Sequence, residues 1–252
     1  MTSKPLAGRR AIITGASRGL GRAIAFALAE AGASLALLGR DAAQLSVTEV
    51  EVKRRGADAA CFLGDIISES EVGRLEREVV SFLGGADILI NNAGMNLRKP
   101  LVEFTLAEWN LVLNTNLTSA FLLCRAFVPH MKGHGYGRII NIASTMSHVA
   151  IPMRSAYAAS KAGLLAMSRT LALELAPDGI TVVCISPGPF ATELNAPLLN
   201  KPEVNKSFTS RIPLGRWGKP EEVGKLAAYL CTEDAGFITG SDILIDGGWC
   251  AQ

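Results

Sequence analysis

Tyr157 and Lys161 stand four residues apart in Ser155-Ala156-Tyr157-Ala158-Ala159-Ser160-Lys161-Ala162-Gly163, a stretch that continues in a helical pattern. On a helix that spacing puts both side chains on one face. A phenol with a reference pKa of about 10 is a poor base at neutral pH, and each unit of depression needs about 1.36 kcal/mol of preferential phenolate stabilisation. A neighbouring ammonium supplies it, which makes the pair a candidate acid/base couple. Alone, the pair also fits a solvated helix face. Ser144 adds a second hydroxyl 13 residues earlier, just past an apolar run that reads as a strand. There it can bond a substrate oxygen, or merely satisfy loop backbone.

A second group of residues is suited to a phosphate. Thr14-Gly15-Ala16-Ser17-Arg18-Gly19-Leu20-Gly21 follows the run Ala11-Ile12-Ile13 and leads into a helical segment at about 19–31. Gly15 permits a tight turn, Gly19 lets backbone approach a pyrophosphate, and Gly21 lets the helix pack closely on the strand. A plain structural βα turn is the competing reading.

The elements that must position these groups follow from the apolar pattern. Further short runs at Leu35–Leu38, Ala59–Leu63, Ile88–Asn91, Arg138–Ile142, Ile180–Ile185 and Ile243–Ile245 alternate with helical segments, giving seven strands in all. Such alternation predicts an α/β fold, a doubly wound parallel sheet of Rossmann type with helices on both faces. No linker divides residues 1–252, so one domain is expected, with a long excursion at about 188–219. Pro220 suits the first turn of the helix after it, with Glu221 and Glu222 at its positive end.

Composition excludes several classes. The chain has 252 residues, 49% apolar and 19% charged, with 25 Lys+Arg against 23 Asp+Glu. A net charge of +2 is too weak and dispersed for a nucleic-acid backbone. Cys61, Cys124, Cys184, Cys231 and Cys250 form no Cys-x-x-Cys pair, which suits a reducing, cytoplasmic setting. No signal core is apparent and no apolar run approaches the roughly 18 residues needed to span a bilayer, so no membrane is expected. His130 and His134 have ligand-like spacing, but Gly133 and Gly135 mark a turn and no third ligand is evident; no metal is expected.

The glycine spacing Gly-x-x-x-Gly-x-Gly, Asn91-Asn92-Ala93-Gly94, Asn116 in Asn114-Thr115-Asn116-Leu117, Ser144, Tyr157-x-x-x-Lys161 and Pro187-Gly188 resemble, in order, the motifs of the short-chain dehydrogenase/reductase family. The resemblance runs essentially the whole chain. It implies hydride transfer between a nicotinamide cofactor and a carbonyl or alcohol, with Tyr157 exchanging the proton, Lys161 also holding the nicotinamide ribose, and Ser144 polarising the carbonyl. Asn116 would hold a water in the proton relay, unless it is only a buried polar brace. Ser17, Arg18 and Leu20 would join the three glycines at the nucleotide, with Asp65 and Ile66 at the adenine, Asn92, Ala93 and Gly94 alongside, and Pro187, Gly188, Phe190 and Thr192 near the nicotinamide. Asp65 is equally well placed to cap the next helix.

At the end of the second strand, Leu37-Leu38-Gly39-Arg40-Asp41, the usual acidic position of the family is Gly39 and Arg40 follows it. An Arg here accepts a 2′-phosphate, and Arg18 can approach the same group, so NADP(H) is the expected cofactor. Asp41 reading a ribose hydroxyl would favour NAD(H) instead, although it also suits an N-cap. Substrate contacts are expected from Met95–Arg98, Thr145–Arg154 and Phe190–Phe208. Among these, Met95, His148 and Arg154 are the named candidates, and Arg98, His148 and Arg154 fit an acidic or polyhydroxylated substrate or ordinary solvated loop charge. The pattern is similar to 3-oxoacyl-thioester reductases, gluconate dehydrogenases and tropinone-reductase-like members. A carbonyl or oxoacyl reductase is therefore expected, with a sugar-acid or polyol dehydrogenase and an inactive nucleotide sensor as alternatives. Apolar helices at about 107–131 and 156–176 point to a homotetramer, such as family members commonly form, with a dimer as the alternative.

Overall fold

Alternating side chains divide each strand between two faces, and the core follows that division. In a computed structural model, which describes residues 4–195 and 201–252, the strands are β1 (Arg10–Thr14), β2 (Ser34–Gly39), β3 (Ala59–Leu63), β4 (Ile88–Asn91), β5 (Gly137–Ile142), β6 (Ile180–Pro187) and β7 (Asp242–Ile245). They form one sheet in the order β3-β2-β1-β4-β5-β6-β7, and every pairing is parallel. The helices are α1 (Gly19–Ala31), α2 (Ala42–Arg54), α3 (Glu69–Leu83), α4 (Leu106–Leu113), α5 (Ser119–Phe127), α6 (Ser155–Leu175), α7 (Pro202–Thr209) and α8 (Pro220–Leu230).

Ile12, Leu38, Leu89, Ile139 and Val182 pack on one side with Leu75 and Val79 of α3 and Leu123 and Phe127 of α5. Ile13, Leu37, Ile90 and Ile185 pack on the other with Ile24 and Leu28 of α1 and Val223 and Ala227 of α8. Each fully buried aliphatic side chain contributes about 1.5–3 kcal/mol, and a strand covered on both faces reads as a continuous apolar run. That is why the seven strands coincide with the sequence expectation to within one or two residues.

The chain runs from β1 to β2 and β3 on one side, then returns to β4 on the other. This reversal opens a crevice at the carboxyl ends of β1 and β4, the place where open α/β sheets bind ligands.

Two expectations change. The excursion at 188–219 is not all coil: it contains α7, whose Phe208 ring stacks between Trp217 at 5.0 Å and Trp249 at 5.1 Å. Residues 196–200 of that excursion lie outside the described residues. Second, Leu106–His130 is a 25-residue helical run with mean hydropathy 1.4, long and apolar enough by length and composition to cross a membrane. The expectation that no apolar run nears that length does not hold. Here Leu122, Leu123 and Phe127 of the run pack against the sheet.

Candidate active site

Thr14 ties the end of β1 to β4. Its hydroxyl accepts from the backbone N–H groups of Asn92 and Ala93, each at 3.0 Å, and the Asn92 amide donates to the carbonyls of Thr14 at 2.9 Å and Gly15 at 3.2 Å. Asn92 is thus a brace between two strand ends. Gly15 has φ +64°, and a Cβ on Gly21 would stand 2.2 Å from the Gly15 carbonyl oxygen. Only glycine lets α1 start this close to β1.

Charge around this turn is sorted by hydrogen bonding. Arg22 is used internally, donating through Nε to the Ser17 carbonyl at 3.0 Å and through Nη2 to Gln44 Oε1 at 2.9 Å. The Arg18 and Arg40 side chains are exposed. Among the described residues the ion pairs formed do not involve them. Asp41 accepts from the Gln44 N–H at 3.1 Å and caps α2, so its carboxylate is engaged as the N-cap reading anticipates. Asp65 accepts from the Ile67 N–H at 3.3 Å, but the cap of α3 is Ser68. The helix-cap alternative for Asp65 is therefore replaced by a local turn.

One cleft of about 660 Å³ runs over the sheet edge. It is lined by Gly15, Ser17, Arg18, Gly19, Leu20, Gly21, Arg40, Asp65, Ile66, Asn92, Ala93, Gly94, Pro187, Gly188, Phe190 and Thr192, and beyond them by Met95, Ser144, Arg154, Tyr157 and Lys161. Each of these was singled out by motif or position in the sequence. Phe208, at the end of the expected Phe190–Phe208 stretch, also lines it, as do Trp217 and Trp249, which were missed. Trp249 lies beyond β7, and nothing local in the sequence brings it to Phe208.

α6 carries Tyr157 and Lys161 to the middle of this cleft. Lys161 is only 3% exposed, donates through Nζ to the Ile142 carbonyl at 2.6 Å, and lies 5.9 Å from the centroid of the Tyr157 ring. Burial pulls the ammonium down to about 8. Ser144 begins a short 3-10 turn after β5, its oxygen accepting from the Met146 N–H at 3.1 Å, and it lines the cleft with Tyr157. Burial raises the Tyr157 phenol above its ordinary value, while Ser144, Arg154 and Arg98 pull it back. The sequence assigned that pull to Lys161. In the structure Nζ donates to the Ile142 carbonyl while standing 5.9 Å from the Tyr157 ring centroid, and Arg154 and Arg98 also act on the phenol.

Asn116 occupies a π-turn (Asn114–Thr118) between α4 and α5, an irregularity frequent at functional sites. Its Oδ1 accepts from the Met95 N–H at 2.8 Å, and its Nδ2 donates to the Met95 carbonyl and to Ser160 Oγ, both at 2.9 Å. Ser160 in turn donates to the Tyr157 carbonyl at 2.7 Å. The side chain therefore acts as a brace joining the Met95 segment to α6.

His148 is not brought to the cleft. Its Nε2 lies 2.5 Å from Asp242 Oδ2, and Asp242 also accepts from Ser186 at 2.8 Å and 2.9 Å. The expected substrate contact is instead a tie between the Ser144 turn and β7. His130 pairs with Glu76, away from any ligand-like grouping; among the described residues no three His, Cys, Asp or Glu are gathered to hold a metal. Cys184 is buried, donating to Ser168 Oγ at 3.1 Å.

A family model described as enoyl-(acyl carrier protein) reductase matches residues 15–250. A tropinone reductase homolog of Arabidopsis thaliana is 39% identical over 245 residues, spanning 97% of this chain and 93% of the relative. The chain belongs to the short-chain dehydrogenase/reductase family. The 3-oxoacyl-[acyl-carrier-protein] reductase of Aquifex aeolicus is 35% identical over 244 residues, 96% of this chain and 98% of that one. A crystal structure described as an NAD(P)-dependent gluconate 5-dehydrogenase from Beutenbergia cavernae, with bound NADP at low occupancy, superposes with a TM-score of 0.93 at 36% identity. It covers 99% of this chain and 100% of the other. This short-chain dehydrogenase/reductase is thus an oxidoreductase with the seven-stranded Rossmann-type sheet of its relatives, as the motif order implies.

Proposed function

We propose that the protein transfers hydride between NADP(H) and a carbonyl or secondary alcohol, with Ser144, Tyr157 and Lys161 as the reacting set and Asn116 as their support. The observation that carries this is that Ser144, Tyr157 and Lys161 line one cleft continuous with the glycine turn. The residues fit a dinucleotide carrying an extra phosphate: the turn at Gly15–Gly21 presents backbone N–H groups at the start of α1, and Arg18 and Arg40 have guanidinium groups to spare for a 2′-phosphate. When bound, the nicotinamide supplies or accepts the hydride.

The remaining steps belong to the protein. In reduction the Ser144 hydroxyl donates to the carbonyl oxygen and holds it beside Tyr157, whose O–H then delivers the proton as the carbon takes the hydride. A phenol raised above its usual pKa by burial is protonated at neutral pH, the state an acid needs. In oxidation the phenolate must form first, so that direction gains with rising pH. Lys161 is placed to hold ribose hydroxyls once its ammonium exchanges the Ile142 carbonyl for them.

Purified protein should oxidise NADPH with a panel of 3-oxoacyl thioesters, keto-sugar acids and cyclic ketones, followed by absorbance. Turnover of thioesters supports the oxoacyl reductase reading, and turnover of the keto acids supports the sugar-acid dehydrogenase reading. NADPH binding with no turnover, unaltered in every respect by Tyr157→Phe, would leave a nucleotide-sensing protein. Leu111, Phe121 and Leu173 are exposed at 39%, 46% and 80% on the two long helical runs, which supports a homotetramer built across those faces. Light scattering that returned a monomer would remove it. A cytoplasmic setting accords with five free cysteines.

A further inference from the structure

Arg154 precedes Tyr157 by three residues and lines the same cleft, which Met95, Ile151 and Trp249 also line. It is half-buried. Several cations of the chain meet acids: Arg10 with Asp87, Arg74 with Glu71 and Glu78, Arg216 with Glu222. Arg154 does not figure in an ion pair or a side-chain hydrogen bond among the described residues. The acidic side chains that line the cleft are Asp41, Asp65 and Glu193. Asp41 caps α2, Asp65 closes a turn after β3, and Glu193 lies beside Gly19. All three belong to the nucleotide half.

At the reacting end the charge is of one sign. Arg154 and Arg98 both act on the Tyr157 phenol, and the Arg98 guanidinium makes the charge on Arg154 less favourable. Arg98 is itself steadied by Asn195, to which it donates at 3.4 Å. A half-buried guanidinium is costly unless an anion meets it, and its planar fork fits a carboxylate bidentately.

We propose that Arg154, with Arg98 behind it, binds the carboxylate of the substrate, so that the reducible carbonyl belongs to a short free oxo acid rather than to a thioester. Because Arg154 and Tyr157 are three residues apart, the carboxylate lies a few bonds from the carbon that accepts hydride. This names the substrate class for the oxidoreductase reading above and rests on it.

The test uses the intact protein with NADPH and a panel of 3- and 4-oxo acids, each paired with its methyl ester. The ratio of kcat/KM for acid over ester should be at least about 10, the scale of one charge-assisted pair, and should fall to about 1 in Arg154→Gln, with Arg154→Lys between. A second arm needs no turnover: saturated short-chain carboxylates should quench the cleft tryptophan fluorescence of the wild type and not of Arg154→Gln. Equal wild-type turnover of acid and ester, or an acid-to-ester ratio untouched by Arg154→Gln, overturns the proposal. Carboxylate binding that depends on Arg154, in a protein that reduces no carbonyl, keeps the anion site and discards the oxidoreductase reading. Turnover of neutral ketones without carboxylate binding does the reverse.

Discussion

Replacing Lys161 with methionine removes an ammonium that the fold buries with one carbonyl partner, Ile142. Its fall from 10.5 to about 8 corresponds, at about 1.36 kcal/mol per unit, to about 3 kcal/mol against the charged form. Methionine is of similar length and fills the space, but it leaves the Ile142 carbonyl short of a donor at a cost of about 1 kcal/mol. The variant should therefore be more stable by about 1–2 kcal/mol at pH 7, or about 2–8 °C in Tm for a chain of this size, while losing turnover. The pH dependence has a definite sign. Below pH 8 the native lysine keeps its proton and the penalty is fully present. Between about 8 and 10.5 the unfolded chain holds a proton that the native chain has released, so wild-type stability rises with pH relative to the variant. Urea unfolding of both proteins at pH 7, 8, 9 and 10 measures the gap. A variant equal to or weaker than wild type at pH 7, or a gap constant across the series, would refute the buried-charge reasoning.

Three other substitutions probe separate parts of the site. Arg40→Ala should raise KM for NADPH about tenfold or more, on the scale of a lost charge-assisted phosphate contact, and change KM for NADH little; equal effects on both would refute the phosphate role. Gly21→Ala puts a Cβ 2.2 Å from the Gly15 carbonyl oxygen, so it should abolish NADPH binding in a fluorescence titration and destabilise the chain by about 1–3 kcal/mol. His148→Ala cuts the tie to Asp242 and should lower kcat several-fold with the cofactor KM unchanged, at a stability cost of about 1–2 kcal/mol; steady-state kinetics with unaltered kcat would show that the Ser144 turn needs no such tether.

The sheet could be read from the sequence because its strands are buried on both faces, so runs such as Ile180–Ile185 appear apolar without interruption. Gly15, Gly19 and Gly21 were legible because a turn beside a helix start constrains backbone directly. Side-chain partnerships set by distant chain were not. His148 looks like a loop residue near Ser144, yet its partner Asp242 is 94 residues away. The phenol of Tyr157 also feels Arg98 and Arg154, and Lys161, four residues on, donates to the Ile142 carbonyl. Asn116 carries a motif, but that its amide is spent on Met95 and Ser160 depends on how β4 and α6 meet. α7 was hidden because a two-turn helix bounded by Pro202 and polar neighbours has little periodicity to detect.

The proposed chemistry depends on one phenolic oxygen. Tyr157→Phe keeps the ring and removes that oxygen, and the measurement is NADPH-dependent carbonyl reduction beside NADPH binding by fluorescence. Turnover should drop by about 10²–10⁴, the usual contribution of a positioned acid, with the dissociation constant for NADPH within about twofold of wild type, inside the roughly ±0.5 kcal/mol of a substitution that leaves other contacts in place. Retained turnover would contradict the account.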